Sequence, residues 1–165
     1  MKKFVVLFTW LSISLYGFSQ SYDMEAGIRS GLSSGVSLRV LTGSDDWVEG
    51  MLFSRNHGIQ LYVLKGKNTP LLLCRNWPLT MQTAFGAHIG NTRSAYSPEE
   101  FYSAYRQVPV IGADFFLAAT YNFNRLPLSF SLDYKPFAEF VPDRFLRVNL
   151  WDFGFSIRYH FTSKK

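Results

Sequence analysis

Residues 151–161 read Trp-Asp-Phe-Gly-Phe-Ser-Ile-Arg-Tyr-His-Phe, near the end of a chain of 165 residues. Every odd position in this stretch carries a large apolar side chain, and every even position carries a polar or small one. Alternation with a period of two predicts a β-strand with one apolar face and one polar face. A soluble strand is usually about 5–6 residues long, whereas about 9–11 residues cross a bilayer. The length and the pattern together favour a strand that faces lipid on one side and a polar lumen on the other.

This final strand closes on Phe161 and is followed by a short tail, residues 162–165. It resembles the C-terminal strand of bacterial outer-membrane β-barrels, which the barrel-assembly machinery reads during insertion. Three segments also resemble the small eight-stranded OmpA/OmpX-like barrels of Gram-negative bacteria: residues 86–90, 126–136 and 156–161. The resemblance implies an all-β, eight-stranded antiparallel up-and-down transmembrane β-barrel in the outer membrane of the bacterial cell, in contact with its lipid. It carries no catalytic residues with it.

Residues 1–20 have the features of a secretory signal peptide. Lys2 and Lys3 precede an apolar run, residues 4–16, and Gly17-Phe18-Ser19 is a small-x-small cleavage site. We therefore expect residues 21–165 to form one barrel domain. Their formal charge is +3, compared with +5 for the whole chain, and no block of basic residues is present. Nucleic-acid binding has no support from this composition.

Alternation recurs along the rest of the chain and predicts eight strands. They are residues 22–29, 35–41, 47–55, 59–64, 81–90, 108–123, 127–135 and 151–161. In the third strand, Glu49 and Arg55 share a face with Met51 and Phe53, and we expect that face to point inward because charges are costly in lipid. Residues 65–78 are predicted to be an irregular connection.

Two long loops, residues 91–107 and 136–150, are predicted at the extracellular end. Ser97-Pro98-Glu99-Glu100 is a capping box, which predicts a short helix from Pro98 to about Tyr105. Aromatic side chains of this loop are candidates for recognising a surface protein or glycan: Tyr96, Phe101, Tyr102 and Tyr105.

Charged residues on the inward faces should form a cluster in the narrow lumen, because unpaired charges there are costly. The candidates are Asp23, Glu25, Arg39, Asp114, Lys135 and Arg158. A symmetric first loop pairs Ile28 with Val36 and places Glu25 opposite Arg39. We expect Glu25 to lie between Arg39 and Arg158 across the closing seam. A two-residue turn at Asn124-Arg125 would place Asp114 opposite Lys135.

Enzyme motifs have little support. Residues 31–35 match G-x-S-x-G, but strands are predicted on both sides, whereas a nucleophile elbow needs a helix after it. His88 and His160 lie on inward faces, where satisfied lumen groups are the favoured interpretation. We predict no metal and no cofactor, and a non-enzymatic structural, surface-recognition or accessory role with a plugged lumen. Two alternatives stay open: a lipid-modifying enzyme on the same barrel, and a secreted soluble barrel that carries a ligand.

Overall fold

The computed structural model describes residues 24–71, 79–95, 105–123, 125–142 and 145–161. These residues form ten strands. The strands are β1 (Met24–Gly31), β2 (Ser34–Leu41), β3 (Asp46–Arg55), β4 (Gly58–Pro70), β5 (Leu79–Ala95), β6 (Tyr105–Asn122), β7 (Leu128–Tyr134), β8 (Phe137–Val141), β9 (Phe145–Asn149) and β10 (Phe153–Phe161). No helix in the described part of the chain has the length and apolar character needed to span a membrane.

The strands form one closed antiparallel barrel. β1 to β6 pair in sequence order, and β10 pairs with both β1 and β7. β7 and β8 follow one another as two parts of one barrel strand, and both pair with β6. β9 and β10 are likewise two parts of the next barrel strand. The barrel therefore has eight strand positions, and the predicted fold class is confirmed. We call the end that holds Met24 and Phe161 the terminal end, and the opposite end the loop end.

The two faces of the wall differ sharply in polarity. Outward-facing apolar side chains are open to the surroundings; Phe85, for example, is 69% exposed and Leu132 is 62% exposed. Charged residues of the same strands point inward and are buried. On β3 the predicted inward face, which carries Glu49 and Arg55, is confirmed.

Two hairpin turns have the predicted position. Ile28 pairs with Val36, and Glu25 pairs with Arg39, so the predicted β1–β2 register is confirmed. Between β3 and β4, Asn56 and His57 have φ of 48° and 57°. Positive φ at both central residues is the signature of a tight type I′ hairpin, and asparagine tolerates it well.

The predicted β6–β7 turn is wrong by two residues. Asn122 pairs with Ser129, and the N–H of Phe123 donates to the carbonyl of Leu128 at 3.0 Å. The connection is therefore longer than the expected Asn124-Arg125 turn. Proline cannot donate to the sheet, which favours a start of pairing after Pro127.

Both predicted extracellular loops are shorter than expected, because strands extend into them. Residues 91–95 continue β5, and residues 105–107 belong to β6. Residues 136–150 contain the β8–β9 hairpin and are not a loop. In β8 the apolar residues Phe137 and Val141 share the inward face with a charge, so the alternation was hidden. The predicted helix lies outside the described residues apart from Tyr105, which starts a strand.

The predicted connection at residues 65–78 is also wrong in its first part. β4 continues to Pro70, which pairs with Thr80 of β5. Lys65 and Lys67 point outward on this extension and Gly66 points inward, so the alternation persists with charges on the outer face. Pro70 is tolerated because it is the last residue of the strand.

Candidate functional site in the barrel lumen

Charged side chains fill much of the barrel interior. Five basic and six acidic side chains are buried there: Arg29, Arg39, Arg55, Lys135 and Arg158, with Glu25, Glu49, Asp114, Asp133, Glu139 and Asp152. Arg147 enters the lumen from β9, with 29% of its side chain exposed. The formal charges of these twelve groups cancel when the histidines are neutral. Each lies within salt-bridge distance of an opposite charge, as burial requires.

Glu49 is the centre of the cluster nearest the terminal end. Its carboxylate accepts hydrogen bonds from Arg39 Nη2 at 2.7 Å and from Arg158 Nε at 3.3 Å. Glu25 lies 3.5 Å from Arg39 Nη1 and 3.1 Å from His160 Nδ1. We call these five residues the terminal cluster.

Of the two arginines expected beside Glu25, Arg39 lies within salt-bridge distance, whereas Arg158 binds Glu49. On β10 the residue opposite Glu25 is His160, and the residue opposite Gly27 is Arg158. A Cβ atom on Gly27 would lie 2.7 Å from Arg158 Cγ. Because Gly27 has no side chain, Arg158 passes over it and reaches Glu49 instead.

Asp152 is the centre of a second cluster, in the middle of the lumen. Arg29 Nη1 lies 3.0 Å from Asp152 Oδ1, and Arg29 Nη2 lies 2.6 Å from Asp133 Oδ1. The hydroxyl of Ser33 donates to Asp152, and Lys135 Nζ lies 3.5 Å away. The two buried cations therefore share one carboxylate.

A β-bulge directs Asp152 into the lumen. Residues 150–152 of the β9–β10 wall stand opposite only two residues, 135 and 136, of the β7–β8 wall. Leu150 and Trp151 both face outward in consequence, and the next side chain, Asp152, is buried. Bulges commonly re-aim a side chain in this way. The predicted start of the last strand at Trp151 is therefore two residues early.

Asp114 and Lys135 make the contact that the sequence predicted, although their register differs. Asp114 pairs with Phe137, two residues beyond the expected partner. Both side chains still point inward, and Lys135 Nζ reaches Asp114 Oδ1 at 3.1 Å across the diagonal. The second oxygen of Asp114 lies 2.6 Å from His88 Nδ1.

Glu139 connects His88 to the loop end of the lumen. His88 Nε2 lies 3.0 Å from Glu139 Oε2, so both ring nitrogens of the histidine face carboxylates. Glu139 also binds Arg55 and Arg147. We call Glu139, Arg55 and Arg147 the loop-end cluster. The sequence missed Glu139 and Arg147 because it placed them in a loop; residues 137–141 alternate between inward and outward in the structure but not in polarity.

Apolar side chains of β3 to β6 form a buried cluster beside these charged groups. They are Trp47, Met51, Phe53, Tyr62, Leu64, Ala84, Phe116 and Ala118. Cation–π contacts join the apolar cluster to the charged groups. Arg39 lies 3.8 Å from the ring centre of Trp47, and Lys135 lies 4.2 Å from that of Tyr62. Such contacts stabilise a desolvated cation.

The three groups considered for catalysis, Ser33, His88 and His160, have other partners; His160 lies beside Glu25. Ser33 of the G-x-S-x-G match lies in the β1–β2 hairpin and donates to Asp152. His88 is held between two carboxylates. None of them supplies the Ser–His pair that a lipid-modifying enzyme would use. Among the residues that the structure describes, no group of three or more His, Cys, Asp or Glu side chains is arranged to hold a metal ion.

Comparison with known proteins identifies the same architecture. No known family model matches the chain, and no curated protein matches it. The crystal structure of the N-terminal β-barrel domain of Pseudomonas aeruginosa OprF is similar, with a TM-score of 0.57, 12% sequence identity, and coverage of 85% of this chain and 96% of that chain. The likeness is one of fold. It shows that the two chains share the closed antiparallel β-barrel.

Some predicted site residues lie outside the described residues. They are Asp23, Tyr96, Phe101 and Tyr102. The backbone of Tyr105 belongs to β6. The signal peptide and the domain boundary at residue 21 also fall outside the described part of the chain and stay predictions.

Proposed function

We propose that this chain is an integral outer-membrane β-barrel with a side-chain-plugged lumen and a non-enzymatic structural or surface-recognition role. The observation that carries the proposal is the polarity of the wall. Charged side chains such as Glu49 and Asp152 are buried inside, while Phe85 and Leu132 lie on the open outer face. This arrangement is the reverse of a soluble protein and is what a lipid solvent selects.

The size of the apolar outer face argues against a secreted soluble carrier. Exposed large apolar side chains occur on all ten strands. They include Ile28, Leu38, Leu61, Ile89, Ile111 and Ile157. The largest apolar patch on a soluble monomer is about 300–600 Å². A carrier would also need an apolar cavity inside, where this barrel holds paired charges.

Aromatic side chains at two levels of the outer wall support a membrane position. At the terminal end, Tyr159 and Phe161 have ring centres 4.9 Å apart, and their rings are exposed. Towards the loop end, Trp151 is 77% exposed and its ring centre is 6.2 Å from that of Phe153. Outer-membrane barrels carry aromatic girdles at both membrane interfaces.

The paired charges in the lumen support a barrel without an open pore and a role other than transport. An eight-stranded barrel is just wide enough for side chains to fill it. Here salt bridges and aromatic rings occupy that space from the terminal cluster to the loop-end cluster. Recognition would then fall to residues 96–104, which connect β5 to β6 in the sequence and whose aromatic residues Tyr96, Phe101 and Tyr102 suit a protein or glycan partner.

Expression of the full chain in a Gram-negative host tests this function. We expect the mature protein in the outer-membrane fraction, with migration in gels that changes on heating. In planar bilayers, the folded protein should show no stable ion conductance, because paired side chains are expected to fill the lumen of an eight-stranded barrel. Release as a soluble periplasmic protein would contradict the membrane role, and a steady conductance would contradict the plug.

A further inference from the structure

We propose that the loop end of the lumen contains a binding site for a phosphate group, formed by Arg55 and Arg147. The inference goes beyond the structural role proposed above. It concerns the folded barrel itself, so it stands or falls separately from membrane insertion.

Arg55 is a buried cation with unused hydrogen-bonding capacity. It is 4% exposed, and its Nη2 binds Glu139. Its Nε and Nη1 atoms are buried without a hydrogen-bond partner in the described part of the protein. A guanidinium carries five N–H donors, of which Nε has one and Nη1 has two. Leaving charged donors buried and unpaired is costly, so the site favours an added acceptor.

Arg147 supplies a second cation at the same carboxylate. Its Nε donates to Glu139 Oε1 at 2.5 Å, and its Nη2 donates to Thr92 Oγ1 at 3.3 Å. Its side chain is 29% exposed, whereas those of Arg55 and Glu139 are buried. Arg147 therefore connects the buried pair to the solvent at the loop end.

The loop-end cluster carries an excess of positive charge. Two arginines share the single carboxylate of Glu139. Asp114, on the other side of His88, is already paired with Lys135 at 3.1 Å. His88 separates Asp114 from Glu139 and bonds to both. Arg55 therefore shares its one carboxylate with Arg147, and its Nε and Nη1 donors are left without an acceptor among the described residues.

The geometry favours an oxygen-rich anion over halide. The guanidinium of Arg55 stacks on Phe137, with 3.8 Å from Cζ to the ring centre. Stacking fixes the plane of the guanidinium and leaves its edge to donate. Planar forks of N–H donors match phosphate oxygens, and arginine recognises phosphate in this way. A phosphate has enough oxygens to accept from Arg55 and Arg147 together.

Titration of inorganic phosphate into the protein folded in zwitterionic micelles tests the site, with the Nε–H resonances of arginine observed by NMR. We expect saturable shifts of the Arg55 and Arg147 resonances. Arg147→Gln, at a part-exposed position that should not prevent folding, should weaken binding at least about tenfold, as expected for one charge-assisted hydrogen bond. Glu139→Gln removes the competing carboxylate and should tighten binding.

Arg125→Gln is the matched control, because Arg125 is exposed in the β6–β7 connection at the other end. Heat-modifiable migration verifies that each variant is folded. Equal affinity in the wild type, Arg147→Gln and Arg125→Gln would overturn the proposal, as would the absence of saturable shifts at millimolar phosphate. Either result would mean that phosphate does not bind at Arg55 and Arg147.

Micelles doped with phosphatidic acid distinguish the source of the phosphate. Shifts with inorganic phosphate alone would assign the site to a soluble phosphorylated ligand. Shifts with the lipid as well would assign it to a headgroup at the membrane surface. No shift in either arm contradicts the site.

Discussion

Arg158 of β10 binds Glu49 of β3, with 3.3 Å between Arg158 Nε and Glu49 Oε1. In the barrel wall, β1 and β2 lie between these two strands. The contact therefore crosses the lumen. It links β10, which closes the barrel by pairing with β1, to a strand with which β10 shares no backbone hydrogen bonds. Arg39 binds the same carboxylate from β2, so Glu49 holds two cations.

Removing the Glu49 charge should destabilise the barrel strongly. Glu49→Gln leaves two buried arginines without their shared partner, and we expect a loss of about 3–5 kcal/mol in the free energy of unfolding. Urea unfolding in lipid vesicles measures it. A double-mutant cycle of Glu49→Gln with Arg158→Gln should show a coupling of at least about 1 kcal/mol.

The matched cycle pairs Glu25→Gln with Arg158→Gln. Glu25 contacts Arg39 and His160 and shares Arg39 with the Glu49–Arg158 pair, so its coupling to Arg158 should be clearly smaller than that of Glu49. A larger coupling for Glu25 than for Glu49 would contradict the arrangement of the terminal cluster.

Gly27→Ala tests the path that Arg158 takes. The new methyl group would lie 2.7 Å from Arg158 Cγ and 3.1 Å from the carbonyl oxygen of Ile157. We expect a loss of about 1–3 kcal/mol from overpacking. Gly50→Ala is the control, because its methyl group would meet nothing within 4 Å, and its effect should stay within about 0.5 kcal/mol. Similar losses for both variants would mean that general strand propensity, and not contact with Arg158, explains the effect.

An arginine on the outer face reports the position of the membrane. Leu132 is an outward residue in the middle of β7, and Leu132→Arg should cost about 2–4 kcal/mol in vesicles. Leu126 is equally apolar and exposed, but it lies in the connection before β7. Leu126→Arg should cost about 1 kcal/mol or less, as expected near an interface. Equal costs at the two positions would place neither in the hydrocarbon.

The sequence was sufficient to predict strands and their register where each strand has one apolar and one polar face. The pattern around Ile157 and Arg158 predicted a wall strand, and the symmetric first loop predicted that Glu25 pairs with Arg39. Both are observed because a one-residue slip would move every charge to the outer face.

The sequence was insufficient where side-chain reach or backbone irregularity decides the contact. Arg158 reaches Glu49 only because Gly27 leaves room, and a periodic pattern does not measure that room. The bulge before Asp152 shifts the inward–outward alternation between β9 and β10 by one residue. Glu139 was missed because apolar neighbours on its own face concealed the alternation of β8.

Cysteine labelling on intact cells tests the orientation. Cys74 is the only native cysteine, so Cys74→Ser provides a background without thiols. In that background, His57→Cys at the loop end should react with a membrane-impermeant maleimide, because both termini are expected in the periplasm. Ser44→Cys, in the β2–β3 turn at the terminal end, should react only after the cells are opened. The reverse pattern would invert the barrel in the membrane.

Quenching of tryptophan fluorescence by brominated lipid tests the central claim, that the apolar outer face meets lipid while the lumen is sealed. Trp151 is 77% exposed on the outer wall, and Trp47 is completely buried inside. Two single-tryptophan proteins are needed, both carrying Trp77→Phe and lacking the signal peptide: one also carries Trp47→Phe, the other Trp151→Phe. In brominated vesicles, we expect strong quenching of the Trp151 protein and little quenching of the Trp47 protein. Stronger quenching of Trp47 than of Trp151, or no quenching of either, would contradict the account.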